Sequence, residues 1–200
     1  VNSEGLFLSP GQARELLDIY HQSDYTKVSG SEMRSVEMFT GAIDAHIKTI
    51  LDAVGVLPPT RKLKVALDSC NGAGSILAPR LLEALGAEVV SINTTPNGSF
   101  PRGAEPIAEN LTALCQLVKD SGADVGFAQD MDADRLAVVD ELGAPIGEEN
   151  TLVLAARFVV SQSPGTLVTN LSTTSAMDDL AAKYGCALHR SKIGEANVTE

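Results

Sequence analysis

The amino-acid sequence predicts an α/β protein built of three-layer α/β/α units around a mostly parallel mixed sheet, preceded by a helical segment. Two observations predict this fold class. From Lys62 onward, short apolar runs alternate with stretches of helical periodicity, an order typical of β-α-β units. Before Lys62, apolar residues recur every three or four positions and indicate helices. The chain has 200 residues, 44% of them hydrophobic and 20% charged, which is enough to bury a core.

The first predicted helix covers about residues 10–21. Ser9 can cap its N-terminus, and Gln12, three residues later, can bond back to the backbone of Ser9. Pro10 occupies the first helical position, where its missing N–H leaves no bond unmade. These three residues together mark the beginning of a helix.

A longer second helix is predicted from Ser31 to Val54, because apolar residues recur at helical spacing through this stretch. The apolar positions are Val36, Phe39, Ile43, Ile47, Ile50 and Val54. Gly55 is expected to end the helix, and Pro58-Pro59 prevents its continuation. This segment is therefore the best candidate for a linker.

The alternating units follow the linker in a regular order. Strands are predicted at 63–67, 88–92 and 125–128, with helices at 77–85 and 110–119 between them. A hairpin follows, formed by 136–139 and 144–146 with a turn at Gly143, and then a helix at 151–160. A last β-α-β run covers 167–169, 175–184 and 187–189. A domain boundary is expected near 145–148, with Ser163-Pro164-Gly165 as the alternative.

Charge and composition narrow the class of protein. The chain carries 15 Lys and Arg against 26 Asp and Glu, a formal net charge of −11. This charge would repel a phosphate backbone, so we expect no nucleic-acid partner. No apolar stretch approaches the roughly 18 residues of a membrane span, so we expect no membrane association. Cys70, Cys115 and Cys186 are isolated and odd in number, which favours a reducing, cytoplasmic location.

Three aspartates at alternate positions, Asp130, Asp132 and Asp134, follow the predicted strand 125–128. In an extended or looped chain their carboxylates can point at one place, which a helix would not allow. Without a cation they would repel one another and raise each other's pKa. Oxygen ligands of this kind favour Mg²⁺, Mn²⁺ or Ca²⁺. The segment therefore predicts a divalent-metal site.

Two known acidic motifs can be tested against this segment. An EF-hand loop would use the three aspartates and Glu141, but it needs Gly where Arg135 stands, and it needs flanking helices where strands are predicted. We therefore reject the EF-hand. An aspartyl-nucleophile phosphatase uses an Asp-x-Asp pair directly after a strand, and this alternative stays open.

The segment Asp130-Met131-Asp132-Ala133-Asp134-Arg135 resembles the Asp-Gly-Asp-x-Asp-Arg metal loop of the phosphohexomutases, the family of phosphoglucomutase and phosphomannomutase. Met131 stands where the family usually has Gly. Further family-like segments occur in the expected order along the chain. They are Asp68-Ser69-Cys70-Asn71-Gly72-Ala73-Gly74, Asn97-Gly98-Ser99-Phe100-Pro101, Glu109-Asn110-Leu111 and Lys192-Ile193-Gly194-Glu195-Ala196-Asn197-Val198. The resemblance covers about residues 62–200.

The resemblance implies a four-domain isomerase that interconverts hexose 1-phosphate and hexose 6-phosphate through a phosphoserine and a hexose bisphosphate. It implies Mg²⁺ as cofactor, held by Asp130, Asp132 and Asp134 together with the phosphoserine. Arg135 is expected to contact the phosphoryl oxygens as a catalytic residue. Lys192 is expected to bind substrate near the active cleft.

The resemblance also implies a division into three segments. Residues 1–45 would be the helical tail of domain one with a linker, 46–146 the α/β domain two that carries the metal loop, and 147–200 the incomplete start of domain three. The catalytic serine, the sugar-recognition loop and the phosphate-binding loop would lie outside the chain. We therefore expect the chain alone to be inactive as a mutase.

Two alternatives to the mutase stay open. An aspartyl phosphatase would use Asp130 as nucleophile and Asp132 as acid and base. A non-catalytic divalent-cation-binding α/β module would bind metal without any phosphosugar chemistry.

Overall fold

A computed structural model describes residues 2–54, 61–103 and 105–199. The helices are α1 Pro10–Gln22, α2 Ala42–Val54, α3 Gly74–Ala84, α4 Thr112–Ser121, α5 Asn150–Gln162, α6 Ala176–Tyr184 and α7 Glu195–Thr199. The strands are β1 Lys64–Asp68, β2 Glu88–Ile92, β3 Val125–Gln129, β4 Leu136–Val139, β5 Leu167–Asn170 and β6 Leu188–Ser191. This order of elements confirms the predicted α/β class.

The chain forms two compact units. One comprises Phe39–Leu154, and the other comprises Val1–Met38 together with Ala155–Glu200. The first unit contains a four-stranded mixed sheet in the order β2-β1-β3-β4, in which β1 is parallel to β2 and β3 and β4 is antiparallel to β3. The second contains the parallel pair β5 and β6. The mostly parallel mixed sheet is therefore confirmed.

Apolar side chains on one face of the four-stranded sheet pack against α4 and form the core. Leu114 and Val118 of α4 are fully buried against Ala66 of β1 and Ala128 of β3. On the opposite face, Val65 and Phe127 lie with Leu82 of α3 around a small apolar cavity of about 150 Å³. The sheet thus has helices on both sides, as the predicted three-layer arrangement requires.

The prediction for the second helix is wrong at its start. Helix α2 begins at Ala42, and residues 33–41 are not helical. Gly41 lies in the middle of the predicted helix, where glycine is unfavourable, and its carbonyl instead accepts the first helical bond from Ala45 N–H. Val36 and Phe39 are 92% and 79% exposed, so no packing stabilises a helix there. The predicted end at Gly55 and Pro58-Pro59 lies outside the described residues.

The second arm of the predicted hairpin is also corrected. Residues 144–146 do not form a strand, and their pairing with β4 is limited to a single bridge between Val139 and Pro145 and a 3.0 Å bond from Ile146 N–H to Val138 O. The ladder does not continue, because Gly147, two residues after the bridge, has a φ of +92°, which lies outside extended backbone geometry. In the part of the chain that is described, none of the helices has the length and apolar character needed to cross a bilayer.

Candidate metal centre

The candidate site lies where β1 and β3 end side by side. The two strands are parallel neighbours, and Asp68 at the end of β1 is paired in register with Ala128 of β3. Asp130 follows directly after β3. Because the carboxyl ends of adjacent parallel strands meet at one edge of the sheet, the loops that leave them lie together. This edge is where open α/β sheets commonly bind their ligands.

The three predicted aspartates converge in the loop between β3 and β4. One carboxylate oxygen from each of Asp130, Asp132 and Asp134 lies within 4.8 Å of the other two. Asp130 is buried, and the other two are exposed. The loop is closed at its base by a bond of 3.2 Å from Arg135 N–H to Asp130 Oδ1. Ala133 has a φ of +65°, so the left-handed residue of the loop is Ala133, and Met131, in the family's glycine position, has no positive φ.

The electrostatics of this loop favour a bound cation. The pKa of the Asp134 carboxyl is raised, first by its hydrogen bond to the Asp130 side chain, then by the negative charge of Asp130, with burial and the charge of Asp132 contributing less. A proton shared between two carboxylates is the usual response to like charges held close together. A divalent cation would remove the same repulsion, and three carboxylate oxygens are donors that hard cations prefer. The donor set therefore fits Mg²⁺ or a similar ion.

Arg135 lies at the end of the loop among carboxylates. Its NH1 group donates to Glu105 Oε1 at 2.8 Å, and its Nε lies 3.6 Å from Asp130 Oδ2 and 3.8 Å from Asp134 Oδ1. The hydrogen bond and charge of Glu105 raise the pKa of Arg135, so the guanidinium is always charged. About half of its side chain remains exposed and can meet a ligand.

A cavity of about 470 Å³ opens beside the acidic loop. Its lining residues are Phe100, Glu105, Asp130, Met131, Asp132 and Arg135. Carboxylates and one guanidinium share the wall with the exposed ring of Phe100. This arrangement can hold a cation and, through Arg135, an anionic group next to it.

The glycine-containing loop after β1 supports the acidic loop instead of forming a free anion cradle. Ala73 N–H donates to Met131 O at 2.8 Å, and Asn71 N–H and Gly72 N–H are taken by Asn93 O and Ser69 O. A Cβ at Gly72 would lie 2.2 Å from Met131 O, and one at Gly74 would lie 2.2 Å from Gln129 Oε1. At position 72 the neighbouring atom belongs to the backbone and cannot rotate away, so only glycine permits this close approach of the two loops.

Several residues of the site were not identified from the sequence as functional. Asp68 is 1% exposed and bonds to Arg102, and Glu105 bonds to Arg135. Asp68 had one usable signal, since an acidic residue directly after a buried apolar strand is uncommon without a role. Arg102 and Glu105 carried no such sequence signal, because their contacts join segments about 30 residues apart in the sequence.

Within one unit the structure brings together the three predicted aspartates and Arg135. Lys192 is exposed, follows β6, and belongs to the unit of Val1–Met38 and Ala155–Glu200. Glu141, the last position of the rejected EF-hand pattern, lies in the turn after β4 and is not part of the cluster.

Comparison with protein families gives two adjacent matches. The model of phosphoglucomutase/phosphomannomutase alpha/beta/alpha domain II matches residues 43–143, and the model of domain III of the same proteins matches residues 147–200. Together the two matches cover most of the chain.

Individual relatives with mutase names match nearly the whole chain. The chain is 38% identical over 181 residues to a "Phosphoglucomutase/phosphomannomutase" of Thermococcus kodakarensis, covering 90% of this chain and 39% of that protein. It is 36% identical to a "Phosphopentomutase" of the same organism, over 97% of this chain and 43% of that protein. It is 35% identical to a "Probable phosphoglucosamine mutase" of Methanosarcina barkeri, over 100% of this chain and 45% of that protein.

A solved structure shows the same fold. The crystal structure of a phosphoglucomutase/phosphomannomutase family protein from Burkholderia thailandensis is 29% identical to the chain, with a TM-score of 0.77 over 97% of this chain and 41% of that protein. The chain thus spans about two fifths of the length of the proteins it matches.

Proposed function

Because the chain belongs to the phosphoglucomutase/phosphomannomutase family, we propose that it forms the metal-binding part of a Mg²⁺-dependent sugar-phosphate mutase. The family membership confirms the resemblance drawn from the acidic loop. The observation that carries the proposal is the convergence of Asp130, Asp132 and Asp134 within 4.8 Å at the carboxyl edge of the sheet. A magnesium ion bound there would act as a Lewis acid on a phosphoryl oxygen.

The side chains around the loop have distinct proposed roles. Asp130, Asp132 and Asp134 are the ligands. Arg135 presents several N–H donors from a planar, permanently charged group, which suits phosphoryl oxygens. Its bond of 2.8 Å to Glu105 keeps the guanidinium at the cavity wall. When a cation holds the aspartates, Glu105 becomes the main anchor of Arg135 and orients it toward the incoming phosphate.

The rest of the reaction is proposed by family membership. A phosphoserine outside the chain would transfer its phosphoryl group, and a hexose bisphosphate would be the intermediate. Lys192 is proposed to bind substrate. The segments 1–45, 46–146 and 147–200 are proposed as the end of domain one, domain two and the start of domain three, supported by the family matches at 43–143 and 147–200. A cytoplasmic location is supported by three free cysteines.

The substrate is proposed to be a hexose phosphate. The names of the relatives include glucose, mannose, glucosamine and pentose phosphates. The described lining of the cavity beside the acidic loop consists of carboxylates, a guanidinium and the side chains of Phe100 and Met131, which suit a cation and a phosphate of any of these sugars. Glucose, mannose and glucosamine phosphates are therefore the hexose phosphates to be tested, and conversion of a pentose phosphate alone would contradict the proposed substrate class.

The proposal is tested with the full-length protein by phosphorus NMR. Sugar 1-phosphate and 6-phosphate signals (5-phosphate for pentose) are followed with Mg²⁺ and a trace of the matching bisphosphate. We expect interconversion by the wild type and its loss in Asp132→Ala, which lacks one ligand. Glu141→Ala is the matched control, because it removes an exposed carboxylate in the turn after β4 that is not part of the cluster. It should keep full activity.

The other outcomes separate the alternatives. Release of inorganic phosphate with a covalent phosphoryl group on Asp130 would establish the phosphatase. Metal binding without conversion of any sugar phosphate would leave a cation-binding module. Activity that survives Asp132→Ala would contradict the role of the acidic loop.

A further inference from the structure

Behind the acidic loop lies a buried ion pair that the proposed chemistry does not use. Arg102 Nε donates to Asp68 Oδ2 at 2.8 Å, and the two side chains are 9% and 1% exposed. The other oxygen of Asp68 accepts from Cys70 N–H at 2.8 Å and from Asn93 Nδ2 at 3.0 Å. Both oxygens of the carboxylate thus accept hydrogen bonds, three in all, and these hold its position at the end of β1.

The same guanidinium also holds the end of β3. Its NH2 group donates to the carbonyl oxygen of Gln129, the last residue of that strand. Gln129 is followed directly by Asp130, the buried member of the acidic cluster. A guanidinium with several N–H donors in one rigid plane can bond a carboxylate and a carbonyl at once, which an ammonium group cannot do in the same geometry.

We propose that Arg102, held by Asp68, is a positioning residue for the metal site: it fixes the peptide between Gln129 and Asp130 and thereby directs the Asp130 carboxylate toward the other two ligands. This inference rests on the proposed metal-binding function and adds residues to it. Among the described residues, Arg102 forms no hydrogen bond or ion pair with the three carboxylates, and it is not one of the residues that line the cavity. It acts through the backbone, and Asp68 keeps it in place.

Burial of this pair points to a positioning role over a purely stabilising one. Burying two charges costs hydration energy, and their attraction offsets little more than that cost. A buried ion pair therefore stabilises a protein little more than apolar side chains of the same volume would. They do impose one geometry, because the carboxylate of Asp68 accepts from three donors that come from three different residues. Residues that orient metal ligands in this way typically change metal affinity by about 10- to 100-fold when they are replaced.

The test measures metal affinity and folding separately in the 200-residue chain. Mn²⁺ binding is followed by electron paramagnetic resonance, and the folded fraction by circular dichroism. Arg102→Lys keeps a positive charge beside Asp68 but loses the double contact, so the variant should remain folded. We expect it to bind Mn²⁺ about 10- to 100-fold more weakly. Arg102→Met should weaken binding at least as much.

Arg190 provides a matched control in the other unit. It is also partly buried and joins backbone carbonyls of Thr173 and Thr174 to the Asp178 carboxylate. Arg190→Lys should lower stability without changing Mn²⁺ affinity. In the full-length enzyme, Arg102→Lys should shift the half-saturating Mg²⁺ concentration upward by the same factor while kcat at saturating Mg²⁺ recovers. A purely structural role would reduce the amount of folded protein and leave that concentration unchanged.

The outcomes distinguish this inference from the proposed function. If the wild-type chain does not bind Mn²⁺, or Asp132→Ala binds it equally well, the metal site itself is wrong. If the wild type binds and Asp132→Ala does not, but folded Arg102→Lys binds as tightly as the wild type, the positioning role is overturned. Should Arg102→Met fail to fold, Arg102→Lys alone decides the question.

Discussion

At the scale of single residues, the three carboxylates proposed to bind a metal repel one another when no metal is bound. This repulsion lowers the stability of the metal-free chain. The pKa of Asp134 is raised by its hydrogen bond with the Asp130 side chain and by the charge of Asp130. The folded chain therefore binds a proton at this position more tightly than the unfolded chain does. As pH rises from the ordinary aspartate pKa of 3.8 through the raised pKa, this group lowers the free energy of unfolding.

Replacing this carboxylate should have opposite effects on stability and on binding. We expect Asp134→Asn to raise the free energy of unfolding of the metal-free chain at neutral pH and to flatten its dependence on pH just above 3.8. Affinity for Mg²⁺ should fall by more than the roughly 100-fold that loss of a supporting residue costs. Urea unfolding in a chelator and Mn²⁺ titration measure the two effects.

Glu141→Gln is the control for this change, because it neutralises an exposed carboxylate outside the cluster. It should alter neither the pH dependence nor the metal affinity. A metal-free Asp134→Asn chain less stable than the wild type at neutral pH would show that the loop carries no net repulsion.

Site residues that lie close together in the sequence could be predicted from it. Those that lie far apart in the sequence could not. Asp130, Asp132 and Asp134 could be identified because alternate acidic residues after a strand converge by local geometry alone. Arg102 and Glu105 could not, since their partners Asp68 and Arg135 are brought to them only by the folding of the sheet. No spacing rule connects residues on such separate segments.

At the scale of elements, the acidic loop depends on the loop next to it. The loop after β1 donates from Ala73 N–H to Met131 O at 2.8 Å, which requires its backbone to lie against the acidic loop. The glycine at 72 leaves space for that contact. The two loops should therefore move together. A substitution in the loop after β1 should then change the affinity of the acidic loop for metal.

Gly72→Ala should separate these loops. The added Cβ would lie 2.2 Å from Met131 O, a backbone atom that cannot move aside as a flexible side chain would. We expect a loss of about 1–3 kcal/mol in the free energy of unfolding, as for other overpacked sites. Mn²⁺ affinity should fall as well, because the displaced Met131 lies between two of the proposed ligands.

Gly165→Ala is the control for a glycine in open space, since a Cβ there has nothing within 4 Å and the backbone has no positive φ. It should be neutral or stabilise by about 0.4–1 kcal/mol. Thermal unfolding and Mn²⁺ titration compare the two variants. Unchanged metal affinity in Gly72→Ala would show that the loops are independent.

The elements themselves were predictable where local and long-range forces agree. Ser9 and Gln12 form the predicted reciprocal cap of α1, and the parallel strands occur where apolar runs predicted them. The predicted start of the second helix was wrong because the apolar residues of that stretch have nothing to pack against among the described residues. Val36 and Phe39 continue a helical periodicity into a stretch where they are exposed, so the pattern alone did not produce a helix.

At the scale of the whole molecule, the net charge of −11 means that divalent cations will accumulate around the chain without any specific site. Such binding is weak and is screened by salt over about 10 Å at 0.1 M ionic strength. A specific site must therefore be distinguished from this background. Asp132→Ala serves that purpose, because it changes the formal charge by only one unit and removes one of the proposed ligands.

A specifically bound ion should stabilise the unit that holds its ligands. With Mg²⁺ at about 100 times its dissociation constant, the free energy of unfolding of that unit should rise by about 2.7 kcal/mol, which is about a 100-fold slowing of amide exchange through global opening. We expect this slowing at the buried residues Ala66, Val118 and Ala128 of the four-stranded unit. Leu180, buried in the other unit, should change little.

Hydrogen exchange followed by NMR, with and without Mg²⁺ at constant ionic strength, measures this distribution. In Asp132→Ala the slowing at Ala66, Val118 and Ala128 should disappear, because general accumulation of cations does not depend on one ligand. Equal slowing at Leu180 would show that the two units open in one step. Slowing that persists in Asp132→Ala would show that the cations act on the chain as a whole, and the acidic loop would then lose its place as the metal site.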